Sequence, residues 1–326
     1  MDRKIKWGII GLGKIANKFA EDLLLSDNSI LYGVASRSLE KAKEFGNKYK
    51  AVKYFDSYEA LASDSEIDVV YIATPHTLHF ENTMLCLRNG KNVLCEKPMG
   101  INLEEVTTMV KEARDRNLFL MEAMWTRFIP SINKMLELIK AGLIGGIVYI
   151  KADFGFKGDN NLESRVYSKA LGGGSLLDIG IYPVYLSMLL QGSPEEIKAM
   201  ARWTDTGVDS FCAMLFDHKN SSKSILESTI EADTPTEAYI FGTKGTIRIH
   251  SRFHHPEKLT LIREEEEVYN LKIKGNGYFY EIEEVENCLF YGKKESDKHS
   301  LEDSLKLMEV IDRIKEKIGL CYKNKN

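Results

Sequence analysis

Residues 6–16 read KWGIIGLGKIA, an apolar strand that leads directly into a glycine-rich turn and the start of a helix. The turn has the G-x-G-x-x-A spacing of dinucleotide-binding sites. Gly11 would permit the tight turn, Gly13 would let a pyrophosphate approach the backbone, and Ala16 would keep the helix close to the strand. A glycine turn in another kind of α/β domain fits the same short pattern. The cofactor-binding residues predicted here are Gly11, Gly13, Lys14 and Ile15.

The second predicted strand, residues 30–35, ends in Ser36-Arg37-Ser38. NAD enzymes of this architecture carry an acid near this position that binds the ribose hydroxyls. Two hydroxyls and a guanidinium in its place suit a 2′-phosphate, which they can bind with charge-assisted hydrogen bonds. We therefore favour NADP, with Ser36 and Arg37 as cofactor residues, and leave NAD possible. In the alternative interpretation Arg37 and Ser38 cap the next helix, predicted over residues 39–49.

Strands and helices alternate as far as Met121, which predicts βαβ units and a doubly wound parallel sheet. The later strands are longer, alternate in polarity and are joined by hairpin turns, which predicts a large, mainly antiparallel sheet. We therefore predict a Rossmann domain over residues 1–122 and an α+β domain for substrate binding and oligomerisation over residues 123–326. An open sheet face that is partly apolar favours a homodimer or higher homo-oligomer.

Composition excludes several classes of partner. The chain is 44% hydrophobic and 28% charged, with a formal net charge of -4, which provides no electrostatic attraction to nucleic acid or to an anionic membrane. We see no signal-peptide pattern and no apolar run of the ~18 residues that a membrane helix needs. We expect a cytoplasmic protein that binds neither nucleic acid nor membrane.

Two strand ends of the first domain carry chemically active side chains. Residues 93–98 read VLCEKP, and residues 73–79 read ATPHTLH. Ligands of open α/β sheets lie at the carboxyl ends of the strands. We therefore assign further cofactor-binding residues to these two ends: Thr74, Pro75, His76, His79, Glu96 and Lys97.

Four motifs in this order resemble the Gfo/Idh/MocA family of nicotinamide-dependent oxidoreductases, over nearly the full chain. They are the fingerprint at 11–16, the TPxxxH loop at 74–79, EKP at 96–98, and GGGSLLDIGIY at 172–182. The segment EAMWTRFIP at 122–130 and Tyr182, where many relatives have histidine, are similar to the branch of dimeric dihydrodiol dehydrogenase and NADP-dependent D-xylose dehydrogenase. The resemblance implies hydride transfer between a nicotinamide and a hydroxyl or carbonyl group of a sugar or vicinal diol.

The resemblance also implies catalytic roles for Lys97, Asp178 and Tyr182, and a cis peptide at Lys97-Pro98. Asp178 and Tyr182 are four residues apart, so on a helix they share one face. Tyr182 is the predicted base, although an ordinary tyrosine has a pKa of about 10. The Lys97 ammonium would favour the phenolate. Asp178 would bind a substrate hydroxyl or orient Lys97, and Glu96 would contact the ribose or amide of the cofactor.

Four further residues are candidates for substrate binding. Trp125, Phe154 and Phe279 could form an aromatic wall, with packing in the core as the alternative. Arg127 could bind the substrate or form an ion pair between the domains. No metal is predicted, because His76 and His79 lack an acidic or cysteine third ligand; His250, His254 and His255 are interpreted as polar residues of a hairpin.

Two other functions remain open. Some members of this superfamily resemble regulators that bind the dinucleotide without turnover, and the pairing of Lys97 with Tyr182 argues against that function. An NAD-dependent polyol or inositol dehydrogenase is the alternative within enzymes, and Tyr182 in place of histidine counts against it.

Overall fold

The computed structural model of the protein describes residues 3–159 and 161–322. Internal contacts divide the chain into two compact units, Met1–Phe128 with Ile273–Leu305, and Ile129–Lys272 with Lys306–Asn326. The predicted boundary at residue 122 left residues 273–305 in the second domain. Their contacts place them in the first unit.

The first unit contains a six-stranded sheet in the order β3-β2-β1-β4-β5-β6, and every pair is parallel. This order reverses between β1 and β4, as in doubly wound nucleotide-binding sheets, and it confirms the predicted fold class. Only β3 was not predicted, because three residues are too short for a pattern. The strands are β1 Ile5–Ile10, β2 Ser29–Ala35, β3 Lys53–Phe55, β4 Val69–Ile72, β5 Asn92–Glu96 and β6 Leu120–Ala123.

Helices follow the strands of this unit, and polar side chains cap several of them. Ser38, Ser57 and Asn102 each accept a hydrogen bond from a backbone N–H of the first turn, as N-cap residues do. The helices of the Rossmann segment are α1 Lys14–Leu23, α2 Leu39–Tyr49, α3 Tyr58–Ser63, α4 His79–Arg88 and α5 Leu103–Asp115.

Residues 273–305 belong to the first unit because they bond to its first helix and second strand. Asp22 of α1 is buried and accepts hydrogen bonds from the backbone N–H groups of Asn276 (2.7 Å) and Phe279 (3.1 Å). These groups lie at the N-terminus of helix α8, Phe279–Phe290. Further along α8, Glu286 accepts the Ser29 hydroxyl at 2.5 Å. A helix distant in sequence is thus fixed to α1 and β2.

The second unit contains an eight-stranded sheet in the order β14-β13-β12-β11-β7-β10-β9-β8. Only the β7–β10 pair is parallel among these described strands, so the predicted, mainly antiparallel sheet is confirmed. The strands are β7 Ile147–Gly155, β8 Glu196–Trp203, β9 Asp209–Asp217, β10 Lys223–Thr229, β11 Ala238–Gly242, β12 Thr246–Ile249, β13 Lys258–Ile262 and β14 Glu266–Asn270.

Sequence patterns did not predict the two edge strands, β8 and β14. β14 begins inside the acidic run 264–267, whose charged side chains give no apolar alternation. An edge strand pairs on one side only and tolerates charged side chains. Because such a strand lacks the apolar alternation of an inner strand, its sequence does not predict it.

One long helical stretch lies under this sheet. Leu176–Gly180 forms a π-helical turn that continues into α7, Ile181–Gln191. By length and composition the stretch Lys169–Gln191 could cross a membrane, but 83% of its apolar window is buried inside the protein, as in the core helix of a soluble protein. The remaining helices are α6 Pro130–Lys140 and α9 Leu301–Ile318.

Candidate active site

The glycine-rich turn has the geometry that its sequence predicts. Gly11 has a φ of +89°, which disfavours residues with a side chain. A Cβ added there would lie 2.7 Å from the backbone carbonyl carbon of Ala73 and from the nitrogen of Thr74. Any larger residue would push β1 away from the end of β4.

The N-terminus of α1 is open to a ligand. Gly13 is its N-cap and provides no side-chain hydrogen bond to the first turn. A Cβ added at Gly13 would meet nothing within 4 Å, and Gly13, Lys14 and Ile15 are all exposed. The first N–H groups of a helix have no intrahelical acceptor and attract anions. These residues fit the pyrophosphate of a dinucleotide.

Different residues at the end of β2 fit the two proposed roles, capping of α2 and binding of a 2′-phosphate. The Ser38 hydroxyl caps α2 by accepting the N–H of Lys41 at 3.4 Å, and the Ser36 hydroxyl accepts the N–H of Ser38 at 3.3 Å. Arg37 is exposed between them. Ser38 therefore caps α2, and the guanidinium of Arg37 lies at the surface at the end of β2.

The tip of β5 carries Lys97, which is half-buried, and the peptide Lys97-Pro98 is cis, as predicted. His79 holds this tip to the end of β4. Its Nδ1 lies 2.7 Å from the carbonyl oxygen of Pro98, and its Nε2 lies 2.8 Å from that of Thr74. Burial lowers the pKa of His79 more than these two acceptors raise it. His79 thus joins two loops that were both assigned to the cofactor.

Two buried carboxyl groups, Glu96 and Glu122, bond to groups around this strand tip in the first unit. Glu96 accepts a hydrogen bond from the hydroxyl of Tyr71, and burial raises the pKa of Glu96. Glu122 accepts the N–H of Met99 at 2.9 Å, and its other oxygen lies 3.3 Å from Nε2 of His299. Sequence analysis did not identify His299, which lies 177 residues from its partner.

In the second unit, Asp178 lies in the π-helical turn and Tyr182 in the first turn of α7. Arg165 donates from Nη2 to both carboxylate oxygens of Asp178, at 3.0 Å each. A π-helical turn is rare and is often found at a functional site. Sequence analysis missed Arg165, because its loop has no regular pattern.

Tyr182 is 6% exposed and lies against two other rings of the second unit. Its ring centroid is 5.7 Å from that of Phe154 and 5.0 Å from that of His254. Phe154 and His254 are themselves stacked at 4.4 Å. The sequence predicts that His254 is a polar residue of a hairpin; the structure instead buries it against Phe154 and Tyr182.

The other candidate substrate residues lie in the first unit. Trp125 is stacked on Tyr278 with ring centroids 4.6 Å apart, and the Lys274 ammonium lies 3.4 Å from the ring centroid of Phe279. Arg127 donates from Nε to the carbonyl oxygen of Lys298 at 2.9 Å. Their contact with a substrate stays a prediction. No group of three potential metal ligands occurs among the described residues.

Comparison with protein-family models gives two matches. Residues 5–124 match the model described as "Oxidoreductase family, NAD-binding Rossmann fold", and residues 132–248 match "GFO/IDH/MocA C-terminal domain". The first match covers the glycine-rich turn and Lys97, and the second covers Asp178 and Tyr182.

Similar curated proteins are named trans-1,2-dihydrobenzene-1,2-diol dehydrogenase. The protein from Xenopus tropicalis is 37% identical, with 97% of this chain and 99% of that protein covered. The protein from Mus musculus is 38% identical, with 98% of each chain covered.

Solved structures share the fold over nearly the full chain. A 3-ketoreductase from Actinomadura kijaniata, in complex with NADP and TDP-benzene, has a TM-score of 0.88 at 25% identity, with 97% of this chain and 98% of that chain covered. An aldose-aldose oxidoreductase from Caulobacter crescentus has a TM-score of 0.88 at 23% identity, with 97% of both chains covered.

Proposed function

Because the chain belongs to the GFO/IDH/MocA family of oxidoreductases, we propose that it transfers a hydride between NADP and a hydroxyl-bearing carbon of a cyclic vicinal diol or a sugar. The observation that carries the proposal is the arrangement around the π-helical turn. Arg165 holds the carboxylate of Asp178 in place. Four residues later, the phenol ring of Tyr182 lies against Phe154 and His254.

The substrate class follows from the chemistry of these side chains. Aromatic rings provide an apolar surface for a ring-shaped substrate, and an oriented carboxylate can accept a hydrogen bond from a substrate hydroxyl. The curated relatives are named for a cyclic vicinal diol, which supports the same class.

We propose the following chemistry for oxidation. Gly11, Gly13, Lys14 and Ile15 of the glycine-rich turn would hold a dinucleotide whose nicotinamide would supply the acceptor for the hydride. In the substrate the C–H bond breaks with its electron pair, the O–H proton passes to the Tyr182 phenolate, and a C=O bond forms. Lys97 favours the phenolate by its positive charge, and Asp178 holds a substrate hydroxyl. In reduction Tyr182 returns the proton to the oxygen.

We propose NADP as the preferred cofactor because of the exposed Arg37 at the end of β2. A guanidinium can bind a 2′-phosphate with two charge-assisted hydrogen bonds, and an acid for the ribose is missing from this strand end. The similar ketoreductase was solved in complex with NADP, which supports this choice.

We also propose a homodimer that forms through the open face of the eight-stranded sheet. Met200, Leu215 and Ile225 are 68%, 51% and 46% exposed. Leu215 and Ile225 are register partners on β9 and β10, so their side chains lie side by side on one face. Exposed apolar side chains grouped in this way are typical of a protein interface.

The function is tested with a panel of cyclic diols, aldoses and polyols, each assayed with NADP and with NAD at pH 7 to 9. We expect turnover of at least one vicinal diol or sugar, with a higher kcat/KM for NADP. Tight NADPH binding without turnover across the whole panel would instead favour a dinucleotide-binding regulator.

A further inference from the structure

A buried carboxylate lies beneath the glycine-rich motif of the second unit. Asp209 is the first residue of β9 and is 0% exposed. Its Oδ2 accepts hydrogen bonds from the Ser175 hydroxyl and from the backbone N–H of Leu176, both at 2.7 Å. Leu176 is the first residue of the π-helical turn. Asp209 therefore provides the cap that no side chain within the helical stretch provides.

The motif is shaped around this carboxylate. Gly174 has a φ of +111°, and a Cβ added there would lie 2.4 Å from Oδ1 of Asp209. That oxygen has no hydrogen-bond partner among the described residues. The backbone of residues 173–174 thus covers the carboxylate closely, and the hydroxyl of Tyr322 in turn bonds to the carbonyl oxygen of Gly173.

We propose that Asp209 is a positioning residue for the hydride-transfer site, an inference that rests on the proposed function. Asp209 fixes the start of the helical stretch at Leu176, two residues before Asp178 and six before Tyr182. A displacement of the start of a helix moves every side chain on its first turns. Displacement of a reacting group by about 1 Å can cost on the order of 10²-fold in rate.

The carboxylate of Asp209 cannot take a direct part in catalysis. It is fully buried and covered by Gly174, so a substrate cannot reach it without opening the motif. The titratable groups beside it are Cys212 on β9 and Tyr322, and Tyr322 also lies near Asp178. Burial raises the pKa of Asp209 to about 7, while its bonds to Ser175 and Leu176 lower it. Protonation on Oδ1 would leave Oδ2 available to both donors.

Two substitutions separate the hydrogen bonds from the charge. Asp209→Asn keeps the shape and one acceptor oxygen, so we expect kcat within about threefold of wild type. Asp209→Leu keeps a similar volume but accepts no hydrogen bond, so we expect kcat per folded molecule to fall roughly tenfold to hundredfold. NADPH affinity should change less than about threefold, because the cofactor residues lie in the first unit. Ser175→Ala removes one donor and should give a smaller loss.

A matched control is His218→Leu. His218 is also buried in the second unit, and its Nε2 lies 3.2 Å from the Ser187 hydroxyl and 3.0 Å from the Ser224 hydroxyl, beside the C-terminal half of α7. Its loss should lower stability while kcat per folded molecule stays within about twofold. Folded fraction is measured by circular dichroism and urea unfolding for every variant. If Asp209→Leu misfolds, Ser175→Ala provides the same comparison in a folded protein.

The inference is overturned if Asp209→Leu or Ser175→Ala, corrected for folded fraction, keeps the kcat of wild type, or if Asp209→Asn loses as much as Asp209→Leu. Tyr182→Phe distinguishes this result from failure of the proposed function. If Tyr182→Phe loses activity and Asp209→Leu does not, only the positioning role is wrong. If Tyr182→Phe keeps full activity, the proposed function itself is wrong.

Discussion

Nη2 of Arg165 lies 3.0 Å from each carboxylate oxygen of Asp178. One donor shared between two acceptors keeps the carboxylate in a single orientation, four residues before Tyr182. The guanidinium is the more exposed partner and the carboxylate the more buried one. Arg165 therefore orients a group that we assign to the substrate.

We expect Arg165→Met to lower kcat/KM about tenfold, mainly through a higher KM, because Asp178 loses its fixed orientation toward the substrate hydroxyl. Arg165→Lys keeps the charge but not the planar guanidinium and should be intermediate. Steady-state kinetics with the best substrate of the panel measures both. Arg263→Met, which removes a surface pair with Glu267, is the control. Equal kinetics for Arg165→Met and Arg263→Met would contradict the prediction.

Tyr182→Phe and Lys97→Met should each lower kcat by on the order of 10²-fold or more, because each removes part of the proton transfer. The double variant should lose far less than the product of the two effects, since groups that act as a unit are not additive. Single-turnover kinetics measures the chemical step. Tyr185→Phe, on the same helix, is the control and should change little. Fully additive losses would show that Lys97 and Tyr182 act independently.

Arg37→Ala should weaken NADPH binding by about tenfold or more and leave NADH binding unchanged. A hydrogen bond to a charged group contributes roughly 1.5–3 kcal/mol, and NADH lacks the phosphate that would accept it. Titration by cofactor fluorescence gives both dissociation constants. Lys43→Ala removes an exposed charge from α2 and controls for general electrostatics. Wild-type protein that binds NADH as tightly as NADPH would contradict the assignment of Arg37.

The raised pKa of Asp209 predicts that the stability of the protein depends on pH. The pKa of Asp209 is about 7 in the folded protein, against an ordinary value of 3.8 that applies to the unfolded chain. Between these two pH values the folded state therefore binds more protons than the unfolded state. Stability from this group is therefore greatest at low pH and falls as pH rises toward 7. Relative to Asp209→Asn, the free energy of unfolding should fall by about 2 kcal/mol between pH 5 and pH 7. Urea unfolding at both pH values measures it, and parallel curves would contradict it.

Leu215→Glu should convert a homodimer into a monomer, because it places a charge in the apolar part of the open sheet face. Light scattering after size-exclusion chromatography measures the mass. Val52→Glu replaces a side chain of similar exposure in the first unit and should leave the mass unchanged. A wild-type protein that is already monomeric at micromolar concentration would exclude the proposed dimer.

Local patterns predicted much of this fold. The bounds of α2 agree with the predicted range 39–49, because apolar periodicity and a capping serine define them within a few residues. The tight turn at Gly11 also agrees with its pattern, and the cis peptide at Lys97-Pro98 agrees with what the resemblance to the family implies.

The missed parts of the site depend on pairing between distant segments. Asp209 reaches Leu176 across 33 residues, and His299 reaches Glu122 across 177. His254 is buried only because its hairpin folds onto Phe154. A single sequence contains no local signal for such contacts, since each side chain taken alone is compatible with the surface.

The parallel pairing of β7 with β10 has a consequence for synthesis. β7 ends at Gly155, and its neighbours β10 and β11 begin at Lys223 and Ala238. At roughly 5–20 residues per second, a ribosome needs several seconds after completing β7 to deliver either neighbour. Both edges of a strand that becomes central to its sheet are therefore open during this time. Unpaired strand edges can pair with other chains, so the nascent chain is open to aggregation until β10 and β11 have been synthesised.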